Sequence, residues 1–89
     1  MNKDSLQSLP NVGPVLAQLL RQTGIASAED LRAKGTMEVF QKVRNIDPGA
    51  CLHMLYGVEG AIQGIPDKQL SQAKKEELRL FFHQLNKKS

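Results

Sequence analysis

The chain has 89 residues, with 12 Lys or Arg, 9 Asp or Glu, one Cys and no Trp. At about 100–200 residues per domain, residues 1–89 make a single domain. One Cys excludes an intramolecular disulfide and a Cys-rich zinc site, and a net charge of +3 permits nucleic-acid binding without demanding it.

The basic residues are spread from Lys3 to Lys88, with close pairs only at Arg32/Lys34, Lys42/Arg44, Lys74/Lys75 and Lys87/Lys88. Met1-Asn2-Lys3-Asp4 is polar and leads into no apolar run, so no secretory signal is expected. With cysteine so sparse, the expected setting is reducing and cytoplasmic. The most apolar stretch, Ala50 to Ile65, includes His53, Glu59 and Gln63 and is too short and polar to cross a bilayer, so no membrane partner is expected.

Every segment reads as helix, since no β-branched run alternates with polar residues and no Asn-Gly or Asp-Gly turn appears. Asp4 or Ser5 is placed to cap a short first helix carrying Leu6 and Leu9, which Pro10 ends. Asn11-Val12-Gly13 is a tight turn, because Asn and Gly accept left-handed backbone angles most cheaply. A second helix opens at Pro14, carries Leu16, Ala17, Leu19 and Leu20, and stops at Gly24. Ser27, with Asp30 three residues on, caps a third that ends at Gly35. Thr36 is expected to cap a fourth, with Met37, Phe40 and Val43 or Val39 on one face.

Asp47-Pro48-Gly49 is a turn that also serves to start the next helix, about Pro48 to Gln63. This helix is apolar nearly all round and should be central. Gly57, Gly60 and Gly64 recur within it at three- and four-residue spacing. Interior Gly costs about 1 kcal/mol relative to Ala, so the stripe makes sense only if another backbone packs closely there; Gly64 also suits a helix end. Pro66 to Leu70 connects, and Ser71 caps a last helix, about Gln72 to Lys87, with Leu78, Phe81, Phe82 and Leu85 on one face. The expected core is Leu16, Leu20, Leu31, Phe40, Leu52, Leu55, Leu78, Phe81 and Leu85.

Enzyme chemistry finds no foothold, and no catalytic residue, cofactor or metal is expected. Cys51 and His53 are two apart and point to different faces of a helix. The plain expectation is a buried Cys51 and a satisfied or exposed His53. Glu59, inside the apolar helix, is expected to be exposed, with a Lys or Arg partner from a neighbouring helix as the alternative.

One constellation has a physical use. Leu6 to Leu20 reads as two helices joined by a hairpin, with Val12 held between Asn11 and Gly13, and resembles the helix-hairpin-helix motif. In that motif, free backbone amides and the positive helix end face a DNA phosphate. The candidate nucleic-acid contacts are therefore Asn11, Val12 and Gly13 through their backbone, with Arg21 as flanking cation. The position two after Gly13, often Lys in such hairpins, is Val15.

Leu9-Pro10-Asn11-Val12-Gly13-Pro14, Thr23-Gly24-Ile25 with Glu29-Asp30-Leu31, and Leu55-Tyr56-Gly57-Val58-Glu59-Gly60-Ala61 together resemble the C-terminal domain of the TfoX/Sxy family, bacterial regulators of natural competence. The resemblance covers residues 6 to 86. It implies an all-α domain with a helix-hairpin-helix-like element, acting with a transcription activator to switch on DNA-uptake genes. The expectation is a compact bundle of five to six helices and a non-enzymatic accessory regulator. Its partners would be DNA, held weakly through phosphates, a transcription regulator, or both. The alternative is a protein-interaction module with no DNA contact, using the hairpin around Val15 or the apolar long helix.

Overall fold

The structure is a computed structural model and describes residues 6–88. It is an all-α bundle of five α-helices and one short 3-10 helix, with no strand among the described residues. The helices are α1 (Pro14–Gln22), α2 (Ala28–Lys34), α3 (Thr36–Ile46), α4 (Leu52–Gln63), the 3-10 helix (Asp67–Gln69) and α5 (Gln72–Lys88). Proposed caps Asp4 and Ser5 lie outside the described residues. From Leu6 the chain is a pair of turns, not a helix: Leu9 N–H donates to Leu6 C=O and Val12 N–H to Leu9 C=O, at 3.1 and 3.3 Å. Pro10, between them, has no N–H with which to carry a helical ladder onward.

The punctuation acts locally. Pro14 occupies the first turn of α1, where its missing N–H costs nothing. Helix α1 closes at Gly24, whose φ is +94°, with Ile25 N–H reaching Leu20 C=O at 3.0 Å. That closure turns Ile25 into the core, where it is 1% exposed. Ser27 Oγ accepts from Asp30 N–H at 3.1 Å, while the Asp30 carboxylate accepts from Ala26 N–H at 3.1 Å, a near-relative of the capping box. Ser71 Oγ caps α5 in the same way through Lys74 N–H at 3.1 Å. Helix α4 begins at Leu52 and not at Pro48, because Asp47 closes its own turn, its carboxylate accepting from Gly49 N–H at 3.1 Å.

Helix α4 is the hub, packing against α2, α3, α5 and the 3-10 helix, while α1 lies on α3. Leu16, Leu20, Leu31, Phe40, Leu55 and Leu78 are buried as expected, joined by Leu6, Ile25, Val39, Val43 and Val58. Leu52, Phe81 and Leu85 are only half-buried at the margin of the core. They sit near helix ends or on the outermost helix, which has neighbours on one side alone.

Two expectations about polar residues are corrected together. Thr36 does not cap α3; Gly35 is the N-cap, and Thr36 is the first helical residue, buried, with its side chain turned inward. Its hydroxyl donates to the Glu59 carboxylate at 2.5 Å, and Gln63 Nε2 donates to the other oxygen at 2.6 Å. Glu59 is therefore not exposed: only 8% of it is accessible, and two neutral donors satisfy it. Lys74 adds long-range support. Its hydrogen bond with Glu77 raises the ammonium above the ordinary lysine value, burial opposes this, and the charge of Glu59 adds to the rise.

The glycine stripe has the meaning its spacing suggested. A Cβ on Gly60 would lie 2.5 Å from Asn11 Nδ2 and 2.7 Å from Ile65 O. After α4 closes at Gly64, φ +79°, the chain folds back so that Ile65 N–H donates to Gly60 C=O at 2.9 Å. Asn11, itself left-handed at φ +69°, lies in this crossing. Its Nδ2 donates to Ile65 C=O at 3.0 Å and to Gly57 C=O at 3.4 Å, and its Oδ1 accepts from Asp67 N–H at 3.1 Å. One side chain thus ties the hairpin to α4 and to the 3-10 helix.

These contacts set the cost of four substitutions, each read as a urea midpoint. Gly60→Ala should cost about 2 kcal/mol, because a backbone carbonyl cannot swing aside as a flexible side chain can. Gly57→Ala, whose Cβ would meet Asn11 Cβ at an ordinary 3.5 Å, should be neutral or stabilise by up to about 1 kcal/mol through helix propensity. Asn11→Ala should cost about 2–3 kcal/mol from lost hydrogen bonds and left-handed strain. Thr36→Val should cost about 1–3 kcal/mol by stranding one Glu59 oxygen without its donor.

Candidate interaction face at the hairpin

The Asn11 crossing holds the hairpin against the N-terminal half of α4, and a groove of about 500 Å³ lies between them. Pro14, Val15 and Leu16 of α1 line one side, and Cys51, His53 and Met54 at the start of α4 the other. Asn11, Gly13, Gly57 and Asp67 complete the lining, and among the described residues no Lys or Arg contributes to it. Val15 is 71% exposed and Leu19 half-buried, so the hairpin's outer apolar surface is not consumed by the domain's own core.

The four residues proposed for phosphate contact take different positions. Asn11 is on the hairpin surface, with its side chain committed to the crossing. Val12 is buried beneath the turn, and Gly13 is exposed with nothing within 4 Å of where a side chain would begin. Gly13 is the N-cap of α1 and supplies no side-chain cap, so the first-turn amides of α1 keep the positive end of the helix open. Arg21 is in the last turn of α1, roughly 12 Å along the axis from Gly13 at 1.5 Å per residue. The fold does not bring it to the hairpin.

What the fold brings there instead is a trio spread over the sequence. Cys51 is the N-cap residue of α4 and is exposed, contrary to the expected buried thiol, because the helix starts one residue after it. His53 Nε2 lies 2.9 Å from the Asp67 carboxylate, and the histidine side chain is 82% exposed. No helical spacing relates His53 to Asp67, so no sequence pattern pairs them; the 3-10 helix, held by Asn11, sets the carboxylate beside α4. Among the described residues no three His, Cys, Asp or Glu side chains assemble as metal ligands. No helix there is long and apolar enough to cross a membrane.

This geometry can be set beside known proteins. No curated protein matches the chain. A crystal structure of an uncharacterised protein from Listeria monocytogenes, in a triclinic form, is similar over 91% of this chain and 92% of its own, with 41% identity and a TM-score of 0.90. A tetragonal crystal structure of a protein of unknown function from Listeria monocytogenes covers 90% of this chain and 99% of its own, also at 41% identity, with a TM-score of 0.87. At 41% identity, the likeness extends to sequence as well as fold. The family model for the TfoX C-terminal domain matches residues 2–82, which include the hairpin, the central helix and most of α5, and the chain belongs to that family.

Proposed function

We propose that the domain is a non-enzymatic accessory regulator of transcription or DNA uptake that works by holding a protein of the transcription machinery in the groove between α1 and α4. Membership of the TfoX C-terminal domain family supports the regulatory setting. The exposure of Val15, at 71%, beside the apolar walls of the groove is the observation that carries the mode of action. An isolated exposed Val needs no explanation, but one that flanks a concave apolar lining marks an interaction site. The partner segment that fits is an apolar side chain followed by an acidic one: the first fills the groove, and the second faces the open positive end of α1.

A second reading is weak contact between the hairpin and a DNA phosphate through the backbone of Asn11, Val12 and Gly13. The uncapped, unobstructed N-terminus at Gly13 favours it. The apolar lining and the distance of Arg21 favour the protein partner over it.

A photo-crosslinking residue placed at Val15 in cells should yield a discrete adduct with a component of the transcription apparatus. The same residue at Ile46, 41% exposed on α3 and away from the groove, should not. Equal adducts at both positions, or none at Val15, would remove the protein-partner reading. For the hairpin–DNA reading, amide shifts on adding duplex DNA at low salt should centre on residues 13–16 and vanish near about 0.2 M salt.

A further inference from the structure

On the far side of the His53–Asp67 pair lies a second, smaller cleft of about 290 Å³, lined by His53, Tyr56, Asp67, Lys68 and Lys75. Three elements build it: α4 supplies His53 and Tyr56, the 3-10 helix supplies Asp67 and Lys68, and the first turn of α5 supplies Lys75. The Tyr56 hydroxyl donates to Lys75 C=O at 3.4 Å, which anchors the start of α5 beside α4. Its one carboxylate, Asp67, faces His53.

This cleft gathers two unpaired cations from separate elements. Lys42, Lys74 and Arg79 each have a carboxylate within 4 Å, from Glu38, Glu77 and Glu76 respectively. Lys68 and Lys75 have no such partner among the described residues, though they come from different elements and face one cleft. Lys74 and Lys75 are adjacent in sequence, yet one is neutralised by Glu77 and the other is not. The positive end of the α5 dipole, in whose first turn Lys75 stands, adds to this potential. Two unneutralised ammonium groups converging from separate elements, with the exposed His53 imidazole beside them, suit an oxyanion: each ammonium offers positive charge together with hydrogen-bond donors.

We propose that this cleft binds phosphates of the DNA backbone, with Lys68 and Lys75 as the two neutralising cations. Duplex DNA is the source that matches, because its closely spaced phosphates reward several cations presented together on a rigid surface, through counterion release, without any reading of bases. The cleft shares His53 and Asp67 with the hairpin groove. It therefore supplies, through the fold, positive charge of the kind that Val15 fails to supply at the hairpin itself. The inference shares its ligand chemistry with the hairpin–DNA reading but stands on different residues, and it does not depend on the groove's protein partner.

The test is a titration of the full chain with a short duplex of mixed sequence, read by amide shifts and by affinity between about 0.05 and 0.2 M salt. Shifts should centre on residues 53, 56, 68 and 75. Lys68→Gln with Lys75→Gln should weaken binding on the order of tenfold at the lower salt and flatten the log–log salt slope by about 2. Lys68→Gln alone, at an exposed position that cannot disturb the fold, should give about half that change in slope. Lys42→Gln with Lys87→Gln removes the same charge elsewhere and should leave the slope nearly unchanged. Equal loss in that control overturns the proposal, as does an absence of binding at the lower salt. Shifts confined to residues 13–16 would uphold the hairpin reading and overturn this one. Inorganic phosphate run as a separate arm should bind far more weakly than the duplex; saturation of the same shifts at comparable concentration would make the ligand a free phosphate and overturn the assignment to DNA.

Discussion

At Gly60 two stretches of chain that are far apart in sequence meet the backbone of α4, and there is room for neither if a methyl group intervenes. The Ile65 carbonyl and the Asn11 amide both occupy the space a Cβ would fill. The consequence reaches well beyond one packing contact. Asn11 cannot bond to Ile65, Gly57 and Asp67 at once unless the strand of chain after α4 lies tight against the helix. Its bond to Asp67 N–H places the 3-10 helix, the 3-10 helix places the Asp67 carboxylate beside His53, and that pair forms a wall common to both clefts. A helix-destabilising residue at the centre of the most buried helix is thus the condition for everything the hairpin face presents.

The same helix carries a second tension in Glu59. A carboxylate in an apolar helix is costly to bury unless its oxygens find donors. Thr36 and Gln63 provide them, and they do so from two directions: Thr36 from the start of α3, Gln63 from one turn further along α4. Because a satisfied buried polar pair tolerates only one geometry, this contact fixes the rotation of α3 against α4, a job that apolar packing alone leaves looser. Arg44 reinforces the other end of α3, lying 5.3 Å from the Phe82 ring centre and donating to Asn86 at 3.0 Å. The bundle is therefore held by apolar burial and registered by a few polar contacts between helices.

For function, the point of interest is how charge is distributed by folding. A modest net charge of +3, with basic residues scattered from Lys3 to Lys88, gives no hint of a cationic site. Folding pairs several lysines and arginines with carboxylates one turn away on their own helix, since residues three and four apart are neighbours there. The cations left over matter most, and two of them line one cleft. On the neighbouring side of the His53–Asp67 wall the surface is apolar and the open end of α1 is positive through its backbone alone. Two kinds of partner chemistry can thus be served by adjacent surfaces of a small domain.

Most of the helices were legible in the sequence because their signals are local. Pro14, Gly24, Ser27, Gly35 and Ser71 mark helix ends through the φ angle or the side-chain oxygen of a single residue, and periodicity names the buried face. Where local rules compete, local signals mislead: Thr36 has a buried carboxylate to bond and so is not a cap, and Asp47 closes its own turn and delays α4. The glycine stripe announced a close approach without saying of what. The hairpin, too, was legible as a turn with a left-handed Asn, but not the use of that Asn as a clamp on residues more than forty positions away. By itself, then, the sequence determined the helical class, the capping and the presence of a crowded face on α4, all set by interactions within one helical turn. Only the tertiary structure decided that His53 meets Asp67, that Glu59 is buried against Thr36, and that Lys68 and Lys75 share a cleft, because each of those pairings is made between separate elements whose relative placement no local spacing encodes.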